Sequence, residues 1–177
     1  MHIVLLLGSP HRNGTTAALA KAFKEGAESA GHTVESIYVP GENIHPCLSC
    51  GGCRNTGKCV QNDGGNALVE KLLKADGIVF ASPLFYFNFT AQLKTVIDRF
   101  YCTNGALRET NPRVALLTAG ADDDKTAFAA ITVSYETICN YMHFKDVGTV
   151  TALGCASPAA EKMPLYLEAA KALGAAF

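Results

Sequence analysis

Along this chain, short and nearly continuous apolar runs alternate with stretches whose apolar positions recur every three or four residues. His2–Leu7 is such a run and stops at Gly8, as a strand buried on both faces would. Thr33–Val39 alternates and stops at Pro40-Gly41. Gly77–Ala81, Arg113–Thr118 and Asp146–Leu153 are the third, fourth and fifth predicted strands. Helical spacing fills the intervals. Thr15 or Thr16 is expected to cap a helix with Leu19, Phe23, Ala27 and Ala30 on one side and Lys21, Lys24, Glu25 and Glu28 elsewhere, ended by Gly31. Leu68, Val69, Leu72 and Leu73 mark a short helix. Thr90 caps another that carries Leu93, Val96, Ile97 and Phe100 on one face. Asp122–Asp124 favour a helix start, because acids suit the positive N-terminal end; Phe128, Ile131, Tyr135, Ile138 and Met142 continue it. Pro164–Leu173 forms a closing helix.

Five strands alternating with five helices predict an α/β fold, a parallel sheet covered on both faces. Such sheets bind ligands beyond the carboxyl ends of their strands, where the strand order reverses. With the order 2-1-3-4-5, the loops Gly8–Thr16, Ser82–Phe89 and Ala119–Asp124 meet at one crevice. A length of 177 residues suits one domain spanning 1–177. Only the connection from about residue 41 to 65 is long for a compact fold, and long connections are often functional.

Composition narrows the classes. The chain is 49% hydrophobic and 18% charged, with a formal net charge of −1. There is no basic patch for nucleic acid and no block of like charge. The first residues lack a basic leader, and no apolar run approaches the roughly 20 residues of a membrane helix. A cytoplasmic location is therefore expected, where the seven cysteines stay reduced or bind metal.

Two segments carry candidate chemistry. In GSPHRNGTT, Ser9, Asn13, Thr15 and Thr16 offer side-chain donors, His11 and Arg12 offer positive charge, and Gly14 permits close backbone approach. The N-terminus of the following helix favours an anion, so the segment reads as a phosphate cradle or as an ordinary strand-to-helix turn. It is neither a nucleotide P-loop nor a dinucleotide fingerprint. Gly52 to Lys58 imitates a P-loop but ends in Cys59 and follows no strand. Ser82–Asn88, with Phe85, Tyr86 and Phe87, can either flank a planar ring or belong to the core.

The second segment is HPCLSCGGCRNTGKC. Cys47, Cys50, Cys53 and Cys59 fall within thirteen residues. Short glycine-containing loops let sulfurs converge from several directions, which suits an iron–sulfur cluster or a soft metal. Zinc with four thiolates more often uses two separated pairs. Unliganded thiols are the third reading. Cys102, Cys139 and Cys155 are isolated and read as small packing groups.

GSPHRNGTT, the cysteine run, ASPLFYFNFTAQLKTVIDR and TAGA, in this order over nearly the whole chain, resemble the flavodoxin-like NAD(P)H-dependent FMN reductase superfamily, and within it the iron–sulfur flavoproteins. The resemblance implies a three-layer αβα sandwich that binds FMN noncovalently. Ser9, Arg12, Asn13, Thr15 and Thr16 match the phosphate loop. Pro83, Leu84, Phe85 and Tyr86 match the loop along the isoalloxazine, with Phe87 next to them. Ala119 and Gly120 match the third loop at the ring. His11 stands where the family usually has Arg, so Arg12 takes over the charge. The paired acids usual after the last cysteine are replaced by Gln-Asn-Asp-Gly-Gly at 61–65. Asp98 and Arg99 match a recurrent pair, read either as a subunit contact or, more plainly, as a surface ion pair. A four-cysteine run of this kind binds a 4Fe–4S cluster in the iron–sulfur flavoproteins.

The implied activity is hydride transfer from NADH or NADPH to FMN, then electron delivery to a quinone, free flavin, other acceptor or the cluster. Backbone amides near Phe85–Phe87 and Gly120 are expected to stabilise negative charge on the reduced ring. No side-chain nucleophile is expected. Homodimers or homotetramers are implied, with the cluster near a subunit interface. A non-enzymatic electron carrier and a redox-sensing module are the rival readings.

Overall fold

The computed structural model describes all of residues 1–177. Five parallel strands, β1 (His2–Leu7), β2 (Thr33–Tyr38), β3 (Gly77–Pro83), β4 (Arg113–Ala119) and β5 (Lys145–Ala152), form one sheet in the order β2-β1-β3-β4-β5. Both the strand positions and the expected order hold. The helices are α1 (Thr15–Ser29), α2 (Gly65–Leu72), α3 (Ala91–Arg99), α4 (Asn104–Thr110), α5 (Ala129–Met142) and α6 (Met163–Ala176).

Side chains alternate across each strand, so the sheet feeds two separate cores. Val4, Leu6, Ile78, Phe80, Val114 and Leu116 pack against Leu72, Leu93, Val96, Ile131 and Tyr135 of α2, α3 and α5. Ile3, Leu5, Val79, Ala81, Ala115 and Leu117 pack against Leu19 and Phe23 of α1 and Ala170 of α6. Helices α1 and α6 touch backbone to backbone. A Cβ at Gly26 would fall on the Lys171 carbonyl, and one at Gly174 on the Phe23 carbonyl.

Three local expectations are corrected. Neither Thr15 nor Thr16 caps α1; the cap is Gly14, with no side-chain bond, and both threonines lie buried in the first turn. Asp122–Asp124 do not open α5 directly: Asp124 accepts a hydrogen bond from the Thr126 N–H and starts one 3₁₀ turn over Lys125–Phe128, after which α5 begins. Helix α4 was not expected, because Leu107 is its only buried residue and it shows no apolar stripe. The Thr90 cap holds, its hydroxyl accepting from the Leu93 N–H.

Between a 3₁₀ turn at Val39–Gly41 and the start of α2 there is no regular element. The cysteine loop occupies that stretch, as expected. No helix is long and apolar enough to cross a membrane.

Candidate functional site

The first loop is an arrangement of spare donors. The Ser9 hydroxyl is buried and accepts from the His11 N–H at 3.2 Å, and the Gly14 N–H donates to the His11 carbonyl. These two bonds fold the loop tightly. They leave the N–H groups of Arg12, Asn13, Thr15, Thr16 and Ala17 with no acceptor in the chain; the first return bond of the helix runs from the Ala18 N–H to the Gly14 carbonyl. Orphan N–H groups at a helix N-terminus, reinforced by its dipole, make an anion site. Because no side chain caps α1, nothing in the protein competes for it. The Thr15 and Thr16 hydroxyls also lack protein partners. His11, Arg12 and Asn13 are exposed. The Arg12 guanidinium stacks 3.7 Å above the Tyr38 ring, and the Tyr38 hydroxyl donates to the Pro10 carbonyl. Tyr38, which sequence reading left unassigned, thus steadies both the loop and its cation.

The second loop is tied to the first by one residue. The buried Thr90 hydroxyl donates to the Gly8 carbonyl at 2.8 Å, and the Thr90 N–H donates to the Ser82 hydroxyl at 3.0 Å. Beyond Pro83, Phe85 and Asn88 exchange two backbone hydrogen bonds across a tight turn. Its central residues, Tyr86 and Phe87, have φ of 44° and 67°. A left-handed conformation costs about 1–2 kcal/mol for a residue with a Cβ. Two such residues in succession, with Tyr86 99% exposed, gain nothing from the core. The expectation that these aromatics flank a ligand fits that exposure, and the core alternative does not.

The third loop joins the second where the Leu84 N–H donates to the Ala119 carbonyl. A cavity of about 260 Å³ opens between Leu84, Tyr86 and Phe87 on one side and Asp122 and Ala127 on the other. Asp122, which the sequence marked only as part of a helix start, lies beside that cavity. One chemical expectation changes here. The Gly120 N–H donates to the Ala152 carbonyl and the Phe85 N–H to the Asn88 carbonyl, so neither is available to a ring. The N–H groups of Tyr86 and Phe87 remain free.

Cys47, Cys50, Cys53 and Cys59 line one small cavity of about 20 Å³, together with Arg99 and Cys102. All are free thiols. No three metal-binding side chains converge on a point where a single ion could sit. Cys102 is therefore not isolated, contrary to the sequence reading. Burial, with the Cys53 and Cys59 thiols beside it, pushes its pKa up.

Arg99 is not at the surface either. Its side chain is 2% exposed and forks onto the fully buried Asp63 carboxylate, Nη1–Oδ2 at 2.7 Å and Nη2–Oδ1 at 2.9 Å, while Nη1 also donates to the His45 carbonyl. Asp98, its expected surface partner, instead binds Lys94. The acid of the Gln-Asn-Asp-Gly-Gly run thus pins the cysteine loop to α3. Burial opposes ionisation of Asp63, but hydrogen bonds from Arg99 and from the His45 and Gly65 N–H groups outweigh it and hold its pKa well below the usual carboxylate range. A Cβ at Gly65 would land on the guanidinium, so that position needs glycine. The Asp98-Arg99 dipeptide was the signal; its partner, 36 residues away, had none.

The sheet order, the uncapped helix start beyond β1 and the exposed aromatic turn beyond β3 define a flavodoxin-like fold. The model of the NADPH-dependent FMN reductase family matches residues 1–156, and the chain belongs to that family. An iron–sulfur flavoprotein of Archaeoglobus fulgidus is 37% identical over 99 residues, 56% of this chain and 45% of that protein. One from Methanosarcina thermophila is 34% identical over 99 residues, 56% of this chain and 52% of that protein. The chain thus spans about half the length of these curated relatives. Among solved structures, an NAD(P)H:quinone oxidoreductase from Methanothermobacter marburgensis superposes with a TM-score of 0.80 at 21% identity, covering 99% of this chain and 94% of its own. An azoreductase from Bacillus anthracis superposes with a TM-score of 0.78 at 19% identity over 100% of both chains. At these identities the structural likeness speaks for the fold.

Proposed function

We propose that residues 1–177 act as one domain that binds FMN and passes electrons from NADH or NADPH to a quinone, free flavin or other small acceptor. The observation that carries this reading is the uncapped start of α1, where five neighbouring N–H groups lack acceptors in a loop braced from both sides. A phosphate monoester supplies the acceptors such a cradle lacks. Ser9, His11, Arg12, Asn13, Gly14, Thr15 and Thr16 hold it. Pro83, Leu84, Phe85, Tyr86 and Phe87 would lie along the isoalloxazine, with Ala119 and Gly120 in the third loop at the ring. FMN, when bound, supplies hydride acceptance and onward electron transfer. The loop would orient the ring beside the cavity lined by Leu84 and Phe87, and would offer the free Tyr86 and Phe87 N–H groups to negative charge.

In the cysteine loop, we read Cys47, Cys50, Cys53 and Cys59 as ligands of a 4Fe–4S cluster. Their shared cavity, a buried guanidinium beside it and the names of the relatives support this reading. Such a cluster, when bound, supplies one-electron transfer. Seven free thiols suit a cytoplasmic setting. Assembly as a dimer or tetramer is supported by a groove of about 510 Å³ between α3 and α5, beside the exposed Tyr101 and Tyr141.

The test is steady-state oxidation of NADH and NADPH by the FMN-saturated protein with quinone or ferricyanide. Turnover is expected. No turnover at full flavin occupancy would leave a non-enzymatic carrier; a folded sample that takes up no FMN would remove the cradle itself. Anaerobic purification with iron and sulfide analysis tests the cluster separately.

A further inference from the structure

The Arg99 guanidinium is built as though one acceptor were still to come. Of its five N–H donors, two on Nη1 and one on Nη2 serve Asp63 and the His45 carbonyl. Nε is buried and has no hydrogen-bond partner in the protein. A buried N–H without an acceptor is costly, and more so on a cation. The Asp63 fork and the glycine cradle at 65 fix the guanidinium plane, so the side chain cannot rotate to relieve it. What Arg99 faces, besides these partners, is the cavity that Cys47, Cys50, Cys53, Cys59 and Cys102 share. Ser49, Gln61 and Asp98 also line that cavity, but five of its thirteen lining residues are cysteines, which makes sulfur its most abundant side-chain acceptor.

We propose that Arg99 is a positioning and potential-setting residue for the cysteine-bound group: its Nε–H donates to a sulfur of that group, and Asp63 holds it there. This rests on the 4Fe–4S reading above. The Asp63 carboxylate compensates the guanidinium charge, so the directed N–H dipole does most of the tuning. A donor to a cluster sulfur favours the reduced, more negative state and raises the reduction potential. Removing the donor while keeping the charge lowers the potential. Removing the compensating carboxylate raises it. Opposite signs from two partners of one ion pair are not what a merely structural pair produces.

The experiment uses anaerobically purified protein grown with ¹⁵N-arginine and partly reduced, in which pulsed EPR reads nitrogen coupling to the cluster spin. A coupled ¹⁵N is expected. Arg54 also lies in the cysteine loop, so the signal must persist in Arg54→Lys and vanish in Arg99→Lys. An EPR-monitored redox titration of Arg99→Lys is expected to show at least a tenfold shift of the one-electron equilibrium against reduction, about 59 mV, and Asp63→Asn a shift the other way. A sample with full iron and sulfide but no ¹⁵N coupling, or a signal that vanishes in Arg54→Lys, overturns the inference while the cluster stands. A sample that holds no iron after reconstitution overturns the cluster reading, and this inference with it. The ¹⁵N measurement on the unaltered chain and on Arg54→Lys decides the matter even where Arg99→Lys fails to fold.

Discussion

The loop after β1 and the loop between β2 and α2 are the two that the proposed function assigns to redox ligands, and they are built in different ways. The first is backbone work. Its donors are N–H groups at a helix start, positioned by the sheet and braced by Thr90 and Tyr38. The second is side-chain work. Its thiols sit on irregular backbone, and one buried ion pair, Arg99–Asp63, joins it to α3. A site made of backbone tolerates exchange of most of its side chains. A site that leans on one buried pair, with a two-bond clamp from Asn66 to the Cys59 backbone beside it, weakens with that pair.

The largest expected effect breaks the second loop. Arg99→Ala leaves the Asp63 carboxylate buried and unpaired and should cost about 3–5 kcal/mol of stability, read by chemical denaturation. Limited proteolysis should cut first between residues 42 and 64. The same pair predicts a pH signature. The Asp63 pKa lies below its ordinary value of 3.8, so its contribution is complete above that pH and is lost as the pH falls towards the depressed native value. Asp63→Asn should flatten the stability curve in that acid range and leave its slope at neutral pH alone. Next, Thr90→Val strips the Gly8 carbonyl and the Leu93 N–H of their partner and should cost about 2–3 kcal/mol. At roughly 2–4 °C per kcal/mol for a chain of this size, calorimetry would register it easily. Thr16→Val sharpens the comparison: it removes a single hydroxyl from a site held mainly by amides. FMN affinity should fall about tenfold, about 1.4 kcal/mol, while riboflavin affinity stays unchanged. The smallest effect has the opposite sign. Tyr86→Gly relieves a left-handed side chain with almost no burial to lose, and should raise stability by about 1 kcal/mol while weakening flavin binding.

The same division governs what could be read from the sequence. The strands were legible because buried parallel strands are continuous apolar runs, and the strand-to-helix turn at GSPHRNGTT was legible because such a turn is local. The cap at Gly14 was not, since Thr15 and Thr16 are good caps and only the fold decides which residue leaves the helix. Helix α4 has one buried residue, Leu107, and hence no apolar period. The Arg99–Asp63 pair and the approach of Cys102 to the four-cysteine run depend on α3 packing against an irregular loop, and no short-range pattern encodes a partner 36 residues away. The strain at Tyr86 and Phe87 was hidden too, because neither residue type advertises a positive φ.

The bond from Thr90 to Gly8 spans 82 positions of the chain. During synthesis the amino-terminal half of that contact therefore waits for its clasp until the third strand and the residues past it have emerged and docked. A ribosome-bound fragment ending before Thr90 has the opening strand, its helix and the Tyr38 brace, but lacks the second clasp on the turn between them. Uptake of a yellow prosthetic group becomes a certificate of completed folding, issued late, and premature termination products should be colourless.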